Sequence, residues 1–240
     1  MKYYLFILLF VNQLFFSQTQ FPTTDFISPL DIPLSLSGSF GELRSNHFHS
    51  GLDFRTQQKE GLNVYAIADG YVSRIKISTF GYGKAIYITH ANGYTSVYGH
   101  LQRASGNIQL YIKQQHYQLQ QFEIDVFPKP NELPVKKGEV IALSGNSGGS
   151  GGPHLHFEIR NTATEKIINP FYFGYDAFIK DTKAPVINEI IVYPLSDDAV
   201  VNQSQLPISL PLSLQKDGTY LASKVLAKGA IGFGINTYDQ

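Results

Sequence analysis

The side chains able to do chemistry are concentrated around a histidine pair that follows a run of glycine and serine. The run, Gly145–Gly152, is too rich in small residues for the interior of a packed helix or strand. After it, polar and apolar residues alternate from His154 to Ile159, which is the period of a half-buried β-strand. Because residues two apart on a strand point the same way, His154, His156 and Glu158 are predicted to share one face. Two imidazoles at the mouth of a glycine loop indicate a metal site or a proton-transfer site.

A second stretch, GELRSNHFHSGLDFRT, supplies candidate partners. In it His49, Gly51 and Asp53 occupy alternating positions, so an extended backbone presents one nitrogen and one oxygen ligand on a common face. Gly51 is predicted to leave room for an ion between them. We interpret His47 as an exposed loop residue and His90, which ends a strand beside a turn, as a solvated turn residue.

Zinc is the metal that these side chains suit. The chain has no cysteine, so any metal must be held by histidine and carboxylate groups. Two imidazoles and a carboxylate leave one zinc position open for water, whose pKa zinc lowers from about 15.7 to about 7. That chemistry predicts amide hydrolysis, in which nearby histidines move protons and stabilise the oxyanion. The ligand candidates are His49, Asp53 and His156, with His154 and His100 close by in any sheet that joins their strands.

The composition favours a mainly β fold. Basic and acidic residues number 19 each, so nothing indicates nucleic acid or an anionic membrane surface as a partner. The aromatic residues are Tyr and Phe without Trp, and helical periodicity is scarce. We therefore expect an antiparallel β-sheet or sandwich that carries the candidate site.

The chain is predicted to have four parts. Lys2 followed by a short, interrupted apolar run is typical of a secretory signal peptide and too short for a membrane span, so no stable span is expected in the mature chain. The last part looks like a small β-sandwich-like module and is compatible with an incomplete one. The parts are the signal peptide (residues 1–18), an extended lead-in (19–33), the domain with the site (34–175) and a β-rich accessory segment (181–240).

Inside the large domain, two turns and one insertion are predicted. Ala68–Gly70 and Ala91–Gly93 carry the residues of tight hairpin turns. Arg103–Pro134 is rich in glutamine and is interpreted as an exposed insertion between two sheet strands, overhanging a cleft.

Three motifs together resemble the lysostaphin/LytM-type zinc metallopeptidases, peptidase family M23. They are H-x-G-x-D at 49–53, Y-G-H-L at 98–101 and G-P-H-L-H-F-E at 152–158, within a resemblance that covers about Ser35–Phe173. The resemblance implies an M23-type (LytM-like) catalytic domain in an exported enzyme of the periplasm, cell envelope or medium. It implies that such an enzyme cuts peptide stems or cross-bridges of peptidoglycan. It also implies zinc ligands at His49, Asp53 and His156 and catalytic histidines at His100 and His154.

Other functions and roles remain open at this point. A catalytically silent wall-binding or amidase-regulating module is the alternative function, although such modules are expected to lose metal ligands that this chain keeps. An envelope partner that moves the insertion off the groove is a further hypothesis. Glu158 is predicted either to orient a metal ligand or to form a surface ion pair. The G-x-S-x-G matches at Gly145–Gly149 and Gly148–Gly152 need a following helix, whereas a strand is predicted there.

Overall fold

The computed structural model describes residues 21–179 and 184–238. The chain divides into two compact units, Met1–Lys180 and Asp181–Gln240. The predicted signal peptide, residues 1–18, lies outside the described residues. Within the described residues, no helix is both long enough and apolar enough to cross a membrane. The predicted domain boundaries remain predictions.

The described part of the first unit is built mainly from short strands with one α-helix. Two 3₁₀ helices, Pro170–Phe173 and Tyr175–Phe178, follow its last strand. The elements in chain order are β1 (Leu36–Gly38), β2 (Leu52–Arg55), β3 (Asn63–Tyr65), β4 (Gly70–Ile77), β5 (Lys84–His90), β6 (Tyr94–Gly99), β7 (Arg103–Ala104), α1 (Gly106–Leu119), β8 (Ile124–Val126), β9 (Pro134–Val135), β10 (Val140–Leu143), β11 (His154–Asn161) and β12 (Ile167–Ile168).

A nine-stranded sheet positions the candidate residues. Its order is β1-β2-β11-β6-β5-β4-β8, with β12 beside β11 and β9 beside β4, and a smaller sheet has the order β3-β10-β7. Strand β11 lies antiparallel between β2 and β6, so His156 faces Asp53 on one side and Gly99 on the other. Antiparallel pairing throughout confirms the predicted mainly β fold.

Burial of one face of β11 decides where its histidines point. Leu155, Phe157 and Ile159 are fully buried in the hydrophobic core, where Phe157 packs against Phe54 and Tyr98. Each such side chain contributes about 1.5–3 kcal/mol on burial. A shift of one residue in register would move all of them out of this hydrophobic core, so the polar set at 154, 156 and 158 is held on the opposite face.

The two predicted hairpins have different outcomes. Ala91–Gly93 joins β5 to β6, and Gly93 takes a φ of 84° as a tight turn requires, so this prediction is confirmed. The prediction at Ala68–Gly70 is wrong because β3 and β4 do not pair with each other. Instead β3 pairs with β10 and β4 pairs with β5.

The stretch predicted as an exposed insertion contains ordered structure. Helix α1 buries Ile108 and Ile112 against the core, and β8 extends the main sheet beside β4. The helix was hard to predict because it buries only two residues, Ile108 and Ile112, which lie one turn apart. The lead-in likewise contributes Phe26 and Leu30 to the core.

The described residues of the second unit form a separate set of small sheets. Val192, Val201 and Leu210 form its buried cluster. One sheet has the order β15-β13-β19, and two-stranded sheets pair β14 with β18 and β16 with β17. The strands are β13 (Val186–Pro194), β14 (Val200–Val201), β15 (Ile208–Leu210), β16 (Leu212–Leu214), β17 (Tyr220–Ala222), β18 (Ala227–Lys228) and β19 (Ile231–Tyr238).

Candidate metal centre

Three of the predicted residues meet at one buried point and form the candidate metal group: His49, Asp53 and His156. Asp53 on β2 lies opposite His156 on β11, and the loop before β2 brings in His49. His49 Nε2 lies 3.1 Å from Asp53 Oδ1 and 3.1 Å from His156 Nδ1, and the last two atoms are 2.9 Å apart. Ligands that are each about 2.0–2.2 Å from a shared zinc ion have separations of this order.

The hydrogen bonds behind the two imidazoles decide what they present to this point. His49 Nδ1 donates to the carbonyl oxygen of Ser39 at 2.8 Å, which leaves a lone pair on Nε2 in the neutral ring. His156 Nε2 donates to Glu158 Oε1 at 2.9 Å, which leaves a lone pair on Nδ1 when the ring is neutral. Two lone pairs and the Asp53 carboxylate oxygen then converge, an arrangement that requires a positive charge. The donor set therefore fits a divalent metal ion whose histidine ligands are oriented from behind.

Glu158 contacts the ring nitrogen of His156 that points away from the metal group, and it is fully buried, with 0% exposure. Its Oε1 accepts from His156 Nε2, from Ser50 Oγ at 2.6 Å and from the Tyr82 hydroxyl, while Oε2 accepts from Arg160 Nε at 2.6 Å. Burial raises the pKa of Glu158, but His156 and Arg160 outweigh burial and hold the pKa at about 2. Of the two predicted roles, the contacts support orientation of a metal ligand.

The Asp53 carboxylate is also held on both oxygens. Arg44 Nη2 donates to Oδ2 at 3.0 Å, while Oδ1 faces the two imidazole nitrogens. Burial raises the pKa of Asp53, yet its contacts with the side chains of His154, His156 and His49 keep that pKa well below its usual range. The carboxylate is therefore ionised at any physiological pH.

His154 and His100 lie beside this group without joining it. Their ring centroids are 4.6 Å apart, and His154 Nε2 is 3.5 Å from Asp53 Oδ1. His100 Nδ1 donates to the Ser147 carbonyl at 2.8 Å, and His154 Nδ1 donates to the Gly152 carbonyl at 2.8 Å. In their neutral forms both rings thus keep a lone pair on Nε2. Burial, ahead of the charges of His154 and His156, lowers the pKa of His100 to about 4.

The glycine–serine run is packed against a neighbouring turn. The backbone amide of Gly149 donates to the Gly81 carbonyl at 2.8 Å, and a Cβ on Gly83 would lie 2.4 Å from the Ser147 carbonyl carbon. Ser147 Oγ accepts from the Lys84 amide and donates to the Leu101 carbonyl. A strand, not a helix, follows the run. The G-x-S-x-G matches therefore lack the strand, turn and helix that such a motif needs to present a serine nucleophile.

The predictions for the other two histidines, His47 and His90, have different outcomes. His47 is exposed, as predicted. His90 is only 4% exposed, so its interpretation as a solvated residue is wrong; its Nδ1 donates to the Asp69 carbonyl and its Nε2 lies 2.8 Å from Ser96 Oγ. Neither joins the metal group.

Sequence reasoning missed the role of Tyr82. Its ring stacks on His156 with centroids 4.8 Å apart, and its hydroxyl donates to Glu158 and lies 2.8 Å from Ser50 Oγ. The one available signal was its position between two glycines, at 81 and 83, in a sharp turn.

A family model and curated relatives match the part of the chain that carries these residues. The model of peptidase family M23 matches residues 47–117 and 129–170. The DD-carboxypeptidase/endopeptidase Mpg of Neisseria meningitidis serogroup B is 35% identical over 121 residues, which are 49% of this chain and 21% of that protein. The murein hydrolase activator EnvC of Escherichia coli is 33% identical over 113 residues, 46% of this chain and 20% of that protein. The match thus spans about a fifth of the length of these relatives.

Among solved structures, the catalytic domain of the antimicrobial peptidase lysostaphin from Staphylococcus simulans aligns with a TM-score of 0.43. The alignment has 24% sequence identity and covers 58% of this chain and 91% of that one.

Proposed function

The chain belongs to peptidase family M23, and we propose that it is an exported zinc-dependent endopeptidase that hydrolyses peptide bonds in peptidoglycan. The observation that carries the proposal is the convergence of His49, Asp53 and His156 at one buried point, with two further histidines beside it. The relatives named as a DD-carboxypeptidase/endopeptidase and as a murein hydrolase activator support the substrate class, and the apolar N-terminal run supports export.

His49, Asp53 and His156 would hold the zinc ion. When bound, zinc supplies a Lewis acid that polarises a carbonyl oxygen and lowers the pKa of water to about 7. The chain's own contribution is to keep the two imidazoles in the tautomers that face the ion, through the Ser39 carbonyl and Glu158.

His100 and His154 are proposed to move protons during hydrolysis. Each ring is anchored through Nδ1, so its Nε2 is free to accept a proton and return it to the leaving amine. The low pKa of His100 keeps this imidazole neutral near neutral pH, the form that accepts a proton. Once protonated, either ring is positioned to stabilise a developing oxyanion beside the metal group.

Digestion of purified sacculi tests the proposal. The zinc-loaded chain should release peptide-cleaved muropeptides, identified by mass analysis, and a chelator should stop the release. His100→Ala should keep zinc but lose about 10²–10⁴-fold in turnover, the usual contribution of a proton-transfer group. His47→Ala, which alters an exposed histidine, is the matched control and should behave as wild type. Wild-type turnover in the His100→Ala variant would contradict its assigned role.

The similarity to a murein hydrolase activator favours one second candidate, a catalytically silent regulator of amidases. Against it, this chain keeps both proton-transfer candidates and all three metal-ligand candidates. In the same experiment a regulator would bind sacculi with zinc present, release nothing alone, and increase release by an added amidase.

A further inference from the structure

A cavity of about 360 Å³ lies between helix α1 and the main sheet. Its floor includes Ile75 and Ile86, which pair across β4 and β5 in the same row as the core residue Tyr98. Tyr87, next to Ile86, points to the other face, where it lies in register with Val97 and, beyond it, Glu158. The cavity is therefore on the face of the sheet opposite the metal group, and it is independent of the proposed catalysis.

The wall of this cavity is mainly apolar, although the side chains of Gln109 and His116 also line it. Besides the floor, Leu101 and Ile112 are buried against it, and Tyr117 and Phe122 form an exposed aromatic edge. Its volume falls within the range of about 300–1,000 Å³ that is usual for small-molecule sites, which are mostly apolar with few polar groups.

The charged groups around the cavity all have one sign. Lys84, Arg103 and Lys113 line it, and no aspartate or glutamate does. Among the residues that the structure describes, none of these three cations forms an ion pair with a carboxylate. Lys84 Nζ donates to the backbone carbonyl of Gln102, and Lys113 Nζ lies 6.0 Å from the Tyr117 ring centroid. In a chain of zero net charge, this grouping is a local excess of positive charge.

We propose that the cavity binds an amphipathic anion with a single hydrocarbon chain. The isoleucine floor takes the chain, and the cations at 84, 103 and 113 meet the acidic head group. A peptide is a poorer occupant because its buried N–H and C=O groups would need partners that an apolar wall does not provide. The head group gains from charge-assisted hydrogen bonds to lysine and arginine.

Calorimetric titration of the full chain with decanoate tests the proposal. Decanoate should bind, octanoate should bind more weakly by about fourfold for each methylene removed, and acetate should not bind at this site. Decyltrimethylammonium, which has the same tail and the opposite charge, should bind at least about tenfold more weakly than decanoate.

Two variants locate the binding. The triple variant Lys84→Gln, Arg103→Gln, Lys113→Gln should weaken decanoate binding by about tenfold. Its matched control is Lys59→Gln, Lys129→Gln, Lys166→Gln, which removes as many exposed charges outside the cavity and should bind as wild type. Gln109→Phe, which adds a ring to the cavity wall, should abolish binding.

The proposal is overturned if decanoate does not bind the wild-type chain. It is equally overturned if the cationic amphiphile binds as tightly as decanoate, or if the triple variant and Gln109→Phe both keep wild-type affinity.

Discussion

The proposed metal chemistry depends on residues that would not face the ion. Each candidate ligand makes a hydrogen bond through an atom other than its ligand atom. The partner is the Ser39 carbonyl for His49, Glu158 for His156 and Arg44 for Asp53. These contacts choose the tautomer of each imidazole and the direction of the carboxylate before any ion arrives. Residues of this kind usually change metal affinity by about 10–100-fold when altered.

Glu158→Gln is the sharpest test of this orientation. The amide keeps the size of the side chain but removes the charge. Only its oxygen can accept, so its NH₂ group must face either Arg160 or the three donors His156, Ser50 and Tyr82. We expect zinc affinity, measured by competition with a chromophoric chelator, to fall by about 10–100-fold.

Glu60→Gln is the matched control, because Glu60 is exposed and outside the site. Circular dichroism checks that both variants fold. A folded Glu158→Gln chain with wild-type zinc affinity would show that the buried carboxylate does not orient His156.

At the scale of elements, close approach of the His49–Asp53 segment to β11 builds the site. A Cβ on Gly51 would lie 2.2 Å from the Phe157 carbonyl oxygen and 2.9 Å from Glu158 Cγ. The predicted reason for this glycine, room for an ion, is therefore wrong. The room is taken by the backbone of the neighbouring strand.

Gly51→Ala should force β2 away from β11. We expect the free energy of unfolding in urea to fall by about 1–3 kcal/mol, the usual cost of overpacking, and zinc affinity to fall with it. Gly151→Ala is the control, since a Cβ there meets nothing within 4 Å. Equal stability of the two variants would mean that the strands tolerate a wider spacing.

The end of strand β5 carries a pH-dependent contribution to stability. Burial, only partly offset by the hydrogen bond to the Asp69 carbonyl, lowers the pKa of His90 below the ordinary value of 6.5. Below pH 6.5 the unfolded chain binds a proton at His90 that the folded chain resists, so stability falls as the pH falls. Above pH 6.5 both states are neutral at this residue, and the contribution is complete.

His90→Asn should therefore flatten the pH dependence. Asparagine can still donate to the Asp69 carbonyl but does not titrate. The loss of unfolding free energy between pH of about 7.5 and about 5, measured in urea, should be smaller in the variant than in wild type. The metal ligands titrate alike in both proteins, so the difference isolates His90. An equal or larger loss in the variant would contradict this assignment.

At the scale of the whole molecule, local patterns were predictable and long-range pairings were not. The alternation from His154 to Ile159 correctly predicted a strand and the face of its histidines, because period-2 burial is written in adjacent residues. The pairing that brings Asp53 to His156 joins residues 103 apart, and alternation carries no information about which strand lies next to which. Residue types and spacing named these residues as candidate ligands, and the motif resemblance implied that they bind one ion.

Three features were missed for a related physical reason. They are helix α1, the buried state of His90 and the contact of Tyr82 with Glu158. Each depends on what packs against it from elsewhere in the chain. Their own sequence neighbourhoods, rich in glutamine or in turn residues, are typical of exposed segments.

The proposed function requires one zinc site, built from β11 and from the segment that leads into β2. Equilibrium dialysis of the full chain against zinc, followed by elemental analysis, measures this directly. We predict one tightly held zinc ion per chain in wild type and its loss in both Asp53→Ala and His156→Ala. A folded Asp53→Ala or His156→Ala chain that retains the full wild-type zinc content would contradict the assignment of the metal centre.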